Sequence, residues 1–189
     1  MTVWIALIVV VAVVVAVAVL YNRLVSARQM ADEAWSGIDV QLKRRADLTP
    51  NLVETVKGYA AHERALFEEI TRLRGQAGNV PHADVAQRAQ AEGALSVALG
   101  RLLALAENYP DLKANQNFLD LQRQLSALED ELQMARRYYN GAARNQNILV
   151  QSVPSNLVAG LFGFRQRAFF ELSNEADRTP PQVAFGQPS

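Results

Sequence analysis

Phe118 to Ala142 reads "FLDLQRQLSALEDELQMARRYYNGA", and the spacing of its apolar residues decides the fold. Phe118, Leu121, Leu125, Leu128, Leu132, Ala135, Tyr139 and Ala142 are separated alternately by three and four positions. That period puts them on one face of an α-helix, the seam of a coiled-coil-like bundle. A helix carrying such a stripe cannot bury it alone, so the chain must supply other helices to cover it.

Working outward, three more stripes appear. Leu24, Ala31, Trp35, Ile38 and Leu42 mark a first helix. Leu52, Val53, Val56, Tyr59, Leu66, Phe67, Ile70 and Leu73 mark a second. Val85, Ala89, Leu95, Leu99, Leu102 and Ala106 mark a third, starting near Ala83 or Asp84. Pro50 disfavours helical geometry at Thr49 and suits a first helical turn, so the first helix is expected to end there and the second to begin. "RGQAGNVPH" (Arg74–His82) and "ENYPD" (Glu107–Asp111) read as breaks, and Pro154 as the end of the fourth helix. Gly58, inside the second stripe, predicts a close helix–helix approach. Long amphipathic helices joined by short turns predict an all-α, antiparallel up-down-up-down four-helix bundle.

Before the first stripe lies "VWIALIVVVAVVVAVAVL" (Val3–Leu20), an unbroken apolar run without a charge. At helical rise it reaches about 27 Å, close to the roughly 30 Å hydrocarbon core of a bilayer. Trp4 and Tyr21 bracket it as interfacial aromatics do, and Leu7, Val11, Val15 and Leu20 supply lipid-facing bulk. A cleaved signal peptide is the rival reading, but the run lacks a basic flank before it and exceeds the usual apolar length of such peptides. Arg23 and Arg28 follow the run, which places the N-terminus outside and the rest in the cytoplasm. No Gly or Pro interrupts the chain before Gly37, so anchor and first soluble helix are expected to form one rod of about 45 residues, roughly 65–70 Å. Residues 1–21 thus read as a transmembrane anchor, 22–153 as a cytoplasmic four-helix bundle, 154–173 as an apolar docking segment and 174–189 as a flexible tail.

Composition narrows the chemistry. Nineteen basic residues balance nineteen acidic ones, which argues against a nucleic-acid partner. The absence of cysteine removes disulfides, thiolate metal sites and thiol nucleophiles. A di-iron bundle site needs Glu-x-x-His on two helices, yet positions 59 and 79, three before His62 and His82, are Tyr and Asn. No Gly-x-Ser-x-Gly elbow or phosphate-binding glycine loop is present. No catalytic, cofactor-binding or metal-ligating residue is therefore nominated. Lys43-Arg44-Arg45 reads first as a basic triplet complementing a helix C-terminus. Arg136, Arg137, Tyr138, Tyr139, Asn140, Arg144, Asn145 and Asn147 form a polar-aromatic cluster suited either to a hydrogen-bonded contact or to plain surface.

"SVPSNLVAGLFGFRQRAFFEL" (Ser152–Leu172) is the other strongly apolar stretch. Leu157, Val158, Leu161, Phe162, Phe164, Phe169 and Phe170 are too much apolar surface to leave in water. Arg165 and Arg167 would each gain about 1 kcal/mol against an anionic leaflet. Docking on protein and docking on the membrane surface both fit; glycines at 160 and 163 favour protein by allowing close backbone packing.

Three stretches resemble the LemA family of bacterial membrane proteins: "EAWSGIDVQLKRRADLTPNLVETVKGYAAHE" (Glu33–Glu63), "NYPDLKANQNFLDLQRQL" (from Asn108), and "RRYYNGAARNQN" with "PSNLVAGLFGF" (Arg136–Phe164). The resemblance implies an N-terminal anchor with a short outside tail and a helical cytoplasmic domain, with no established enzymatic activity and no catalytic residue to carry over. Thr49, where an aliphatic residue is usual, and Gly141–Gln146 depart from the pattern. The expected role is a non-enzymatic, membrane-anchored helical module that organises proteins or membrane, with the lipid bilayer and further copies of itself as partners and no cofactor. The alternative is an accessory subunit of another membrane protein, such as an envelope quality-control protease. Docking residues expected to carry interaction are Leu157, Leu161, Phe162, Phe164, Arg165, Arg167, Phe169, Phe170, Arg136 and Tyr138.

The seam makes one sharp prediction. Leu128→Asp puts a charge into it, at a cost of several kcal/mol against a typical total stability of about 5–15. Thermal unfolding of the helical domain should fall steeply or vanish; an unchanged melting curve would mean that this face is not packed.

Overall fold

A computed structural model describes residues 1–171, and among these the chain is all-helical. Helix α1 spans Thr2–Lys57, α2 Arg64–Asn79, α3 Val85–Ala106, α4 Pro110–Lys113, α5 Gln116–Gln151 and α6 Ser155–Phe162. The expected docking segment is described as far as residue 171; its last two residues and the expected tail at 174–189 lie outside the described residues.

Helix α1 has 56 residues, about 84 Å at helical rise, and changes character along its length. Its apolar first part buries nothing, and its first buried residue is Leu24. It is long and apolar enough there to cross a membrane. Beyond Leu24 a buried stripe runs through Ala31, Trp35, Ile38, Leu42, Leu52, Val53 and Val56.

The expected break at Thr49-Pro50 does not occur: Pro50 lies inside α1. Proline removes the N–H that would bond the carbonyl four residues back, Ala46. That carbonyl instead accepts from Arg74 Nε of α2 at 2.6 Å. Thr49 is buried, and its hydroxyl donates to Arg45 O at 2.7 Å. A long-range guanidinium thus repairs the defect that a local reading takes for an end. The real break comes at Gly58–Glu63, where Tyr59 and Ala60 both donate to Val56 O and Ala60 is fully buried. The second stripe is therefore divided. Leu52, Val53 and Val56 finish α1, Tyr59 is exposed in the turn, and Phe67, Ile70, Leu73 and Ala77 form the buried face of α2. Gly58 caps α1; a Cβ there would meet only Thr55 O at an ordinary 3.5 Å, so no close helix approach depends on it. Helix α2 also runs through Gly75 and Gly78, because burial of Leu73 and Ala77 outweighs about 1 kcal/mol of lost propensity at each glycine.

The other ends follow local chemistry. Asp84 caps α3 by accepting from Gln87 N at 3.0 Å, and Asn115 caps α5 by accepting from Phe118 N at 3.1 Å. The α5 stripe is buried at Phe118, Leu125, Leu128, Leu132, Tyr139 and Ala142, and half-buried at Leu121 and Ala135.

One apolar cluster draws on α1, α2, α3, α4 and α5 around Val56, Ile70, Leu102, Leu112 and Phe118. A second joins Trp35, Ile38 and Leu42 of α1 to Val85 and Ala89 of α3 and to Leu132 and Tyr139 of α5. A third gathers Leu24, Val158 and Ala159, with Val17, Leu20, Leu149 and Val150 around them. As numbers rise along α1, those of its α5 partners fall. Arg44 meets Glu131, Trp35 meets Tyr139, and Leu149 and Val150 lie at the Leu24 cluster.

The Pro50 repair is testable. Arg74→Leu strands Ala46 O and should cost about 1.5 kcal/mol in unfolding of the detergent-solubilised chain. Pro50→Ala returns the missing N–H, so in that background Arg74→Leu should cost less than half as much. Equal costs in both backgrounds would dissociate the arginine from the proline.

Candidate functional site

Among the described residues the interior holds a charge-rich knot. Arg45 is fully buried, and its guanidinium donates to Glu92 Oε2 at 2.6 Å, Glu129 Oε1 at 2.7 Å, Ser96 Oγ at 2.6 Å and Glu92 O at 3.2 Å. Burial works against its charge, but the Glu129 and Glu92 carboxylates outweigh burial and hold its pKa above the ordinary arginine value. Arg88 reaches Glu92 Oε1 at 3.2 Å and Asp39 at 3.6 Å. Arg45 therefore does not complement a helix C-terminus, since α1 runs on to Lys57; it links α1, α3 and α5. Its neighbour Arg44 meets Glu131 at 3.3 Å. The carboxylates pair with both guanidinium groups, although among the described residues Arg45 Nε and Arg88 Nε are buried without a hydrogen-bond partner. Among the described residues no group of three or more His, Asp or Glu side chains is placed to hold a metal ion.

A more distinctive construction lies where the chain returns after α5. Helix α6 ends at Gly163, whose φ of 72° is left-handed, and Phe164 N–H closes the cap on Ala159 O at 2.9 Å. That is why glycine stands at 163. A Cβ at 160 or 163 would meet nothing within 4 Å, so the expected close backbone packing is absent at both. The chain then leaves the helix without joining a sheet. Gln146 Nε2 donates to Arg165 O at 2.9 Å. Asn147 exchanges two bonds with Arg167: Arg167 N–H donates to its Oδ1 at 2.7 Å, and its Nδ2 donates to Arg167 O at 2.9 Å. Tyr139 donates its hydroxyl hydrogen to Ala168 O at 2.9 Å. Asn140 repeats the double exchange with Phe170, at 2.9 and 3.2 Å.

An asparagine amide carries one donor group and one acceptor, so it can satisfy both main-chain groups of a residue as a neighbouring strand would. The spacing makes the repeat possible. Asn140 and Asn147 are separated by about 10.5 Å of helix, and Arg167 and Phe170 by about 10 Å of extended chain. Residues 165–170 therefore run back along α5 as a strap. Its far end is anchored by Phe170, fully buried against Trp35 with ring centroids 5.7 Å apart. Arg167 pairs with Asp32, which ties the strap to α1. Burial raises the pKa of Tyr139; Arg167 opposes the rise and Asp32 adds to it, so the hydroxyl keeps the proton it donates.

The expected interaction residues separate into three groups. Arg167, Phe170 and half-buried Phe164 belong to the strap and its packing. Leu157, Leu161 and Phe162 are 72%, 77% and 51% exposed on the outer side of α6, whose Val158 and Ala159 pack inward on Leu24; Arg165 and Phe169 are exposed as well. Among the described residues Arg136 bonds locally to Gln133 at 2.6 Å and Tyr138 is exposed, and neither bonds to the strap. Tyr139, Asn140, Gln146 and Asn147 take that role. The polar-aromatic cluster did mark the region, and the seven-residue spacing of its two strap asparagines was the signal to follow. Of the anchor residues, Trp4, Leu7, Val11 and Val15 stand exposed, Leu20 is half-buried at the α6 contact, and Tyr21 meets Phe162 at 4.8 Å and Phe164 at 5.8 Å, both edge-on.

A family model described as the LemA family matches residues 34–185, which include all of α2 to α6 and the strap. Magnetosome protein MamQ 2 of Paramagnetospirillum magneticum is 27% identical over 181 residues, 83% of this chain and 66% of that protein. Magnetosome protein MamQ of Magnetospirillum gryphiswaldense is 26% identical over 190 residues, 86% of this chain and 70% of that protein. Protein LemA of Metamycoplasma hominis is 27% identical over 152 residues, 80% of this chain and 69% of that protein. The chain thus spans about two thirds of the length of these relatives.

If the amides hold the strap, Asn140→Ala with Asn147→Ala should free it. Each substitution removes two bonds of about 1 kcal/mol, so amide exchange at Arg167 and Phe170 should quicken by about one to two orders of magnitude. Arg136→Ala and Tyr138→Ala should leave those amides protected. Protection that survives the asparagine pair would show that Tyr139, Gln146, the Arg167–Asp32 pair and buried Phe170 hold the strap without the amides.

Proposed function

The chain belongs to the LemA family, and from that membership and the geometry above we propose that it is a non-enzymatic helical module, anchored in the bacterial inner membrane, that organises proteins or membrane by self-association. The observation that carries this reading is the continuity of α1. One helix bears both an apolar run with no buried residue and a full-length wall of the helical core. A domain held so stiffly to its anchor is suited to presenting surfaces at a set height above a bilayer.

The part of α1 after Leu24 together with α2, α3 and α5 makes an antiparallel up-down-up-down four-helix bundle in this proposal. The falling α5 numbers opposite rising α1 numbers support it, as does the apolar cluster drawn from all four. Arg23 and Arg28 after the run support a short N-terminus outside and a cytoplasmic domain. The relatives that carry the name magnetosome protein are in keeping with work at a membrane. The accessory-subunit reading shares this topology and differs only in the partner.

Crosslinking in intact membranes separates the two. Ladders of self-adducts are expected, whereas one dominant foreign membrane protein would replace self-association by the accessory role. Topology has its own check, because the chain has no cysteine of its own. A cysteine at exposed Asn79 should resist an impermeant thiol reagent in whole cells and react after lysis. Labelling in intact cells would reverse the orientation.

A further inference from the structure

Helix α6 has two unlike sides. Val158 and Ala159 pack on Leu24 of α1, with Val17 and Leu20 around the same cluster. Those last two belong to the apolar run itself. On the opposite side Leu157, Leu161 and Phe162 are exposed, and Val153 just before the helix is 80% exposed. The rings of Phe162 and Phe164 close on Tyr21, the aromatic that ends the run. Just past α6, Arg165 and Arg28 line a cavity of about 240 Å³ with Gly163, Phe164 and Arg167. From Ser152 to Phe170 the chain contains two arginines and no carboxylate.

We propose that α6 is an interfacial helix, whose Leu157–Leu161–Phe162 side lies at the headgroup–acyl boundary of an anionic bilayer, with Arg165 and Arg28 against lipid phosphate. The proposal rests on reading the apolar run as a membrane anchor. If the run fills the hydrocarbon core, its cytoplasmic boundary falls at Leu20 and Tyr21, as its reach of about 27 Å requires. Helix α6 is packed on Val17, Leu20 and Leu24, so it cannot sit anywhere but at that boundary. A short helix with an apolar outer side, an aromatic group at its end and adjacent arginines matches that environment, where apolar side chains sink below the headgroups and arginines stay among the phosphates. The strap then acquires a purpose: by tying 165–170 to α5 and Asp32 it holds α6 down against the anchor.

The test uses the full chain with single spin labels at Leu161→Cys, Val11→Cys and Glu68→Cys, reconstituted in vesicles of phosphatidylcholine with or without phosphatidylglycerol. Accessibility to oxygen against a water-soluble nickel chelate reports depth. The expected result is a Leu161 label several-fold more oxygen-favoured than the Glu68 label and shallower than the Val11 label. It should also sit deeper with phosphatidylglycerol present, a gain lost in Arg165→Gln. A Leu161 label as wet as Glu68, with Val11 deep, would overturn the proposal and leave the anchor standing. A Leu161 label shielded from both reagents would overturn it in favour of a covering protein. No response to phosphatidylglycerol would overturn the preference for an anionic bilayer, since phosphatidylcholine offers phosphate without net charge. A wet Val11 label would overturn the anchor itself, and this proposal with it.

Discussion

The described helices are organised around one unbroken helix, α1. Helix α1 must run from the apolar stretch into the core without a joint, because its two halves are packed by different partners at different heights: α6 at Leu24, the strap at Asp32 and Trp35, α3 and α5 at Arg45, and α2 near its end. A bend at any point would misplace all that follows. Two long-range contacts brace it. Arg74 supplies the hydrogen bond that Pro50 cannot, and Arg45 fastens the middle of the helix to α3 and α5.

The Arg45 knot is expensive to build. Moving a guanidinium out of water costs several kcal/mol unless every donor finds a well-placed acceptor, and replacing such a knot by apolar side chains is often no loss in stability. Its value here is geometric. An apolar contact tolerates sliding by a fraction of a turn, whereas bonds of 2.6 to 2.7 Å to Glu92, Ser96 and Glu129 do not. The knot sets the register of three helices, and register is what decides whether Trp35, Tyr139 and Phe170 meet. The strap uses the same logic with neutral groups. Asparagine amides act as a surrogate strand, and the near-equality of seven helical rises and three extended ones lets two of them repeat. In the proposed setting these devices serve one end: they hold a small apolar helix beside the exit of the anchor, where a freely hinged segment would drift into solvent.

Much of this was legible in the chain itself, for a physical reason. Periodicity of apolar residues reports burial directly, so the α5 and α3 stripes, the latter with its start near Asp84, could be read from spacing, and the long apolar helix at Val3–Leu20 from its unbroken length. Motif-length similarity reported the family for the same reason that it spans most of the helical domain. The sequence also marked the polar-aromatic region late in α5, although it pointed to Arg136 and Tyr138 where Asn140 and Asn147 do the bonding. What only the tertiary structure decided are the places where a distant group overrules a local preference. Pro50 and Thr49 look like a helix end until Arg74 arrives from α2; Gly75 and Gly78 look like a loop until Ala77 is buried; Lys43-Arg44-Arg45 looks like a complement to a helix C-terminus until α1 runs on and α3 and α5 enclose its last member. Local propensities differ by about 1 kcal/mol, and by about 3 at a proline, while a buried charge-assisted bond or a buried side chain is worth as much or more. Sequence periodicity therefore determined which faces are buried, local caps set the starts of α3 and α5, and long-range contacts carried α1 past Pro50 and α2 past its glycines.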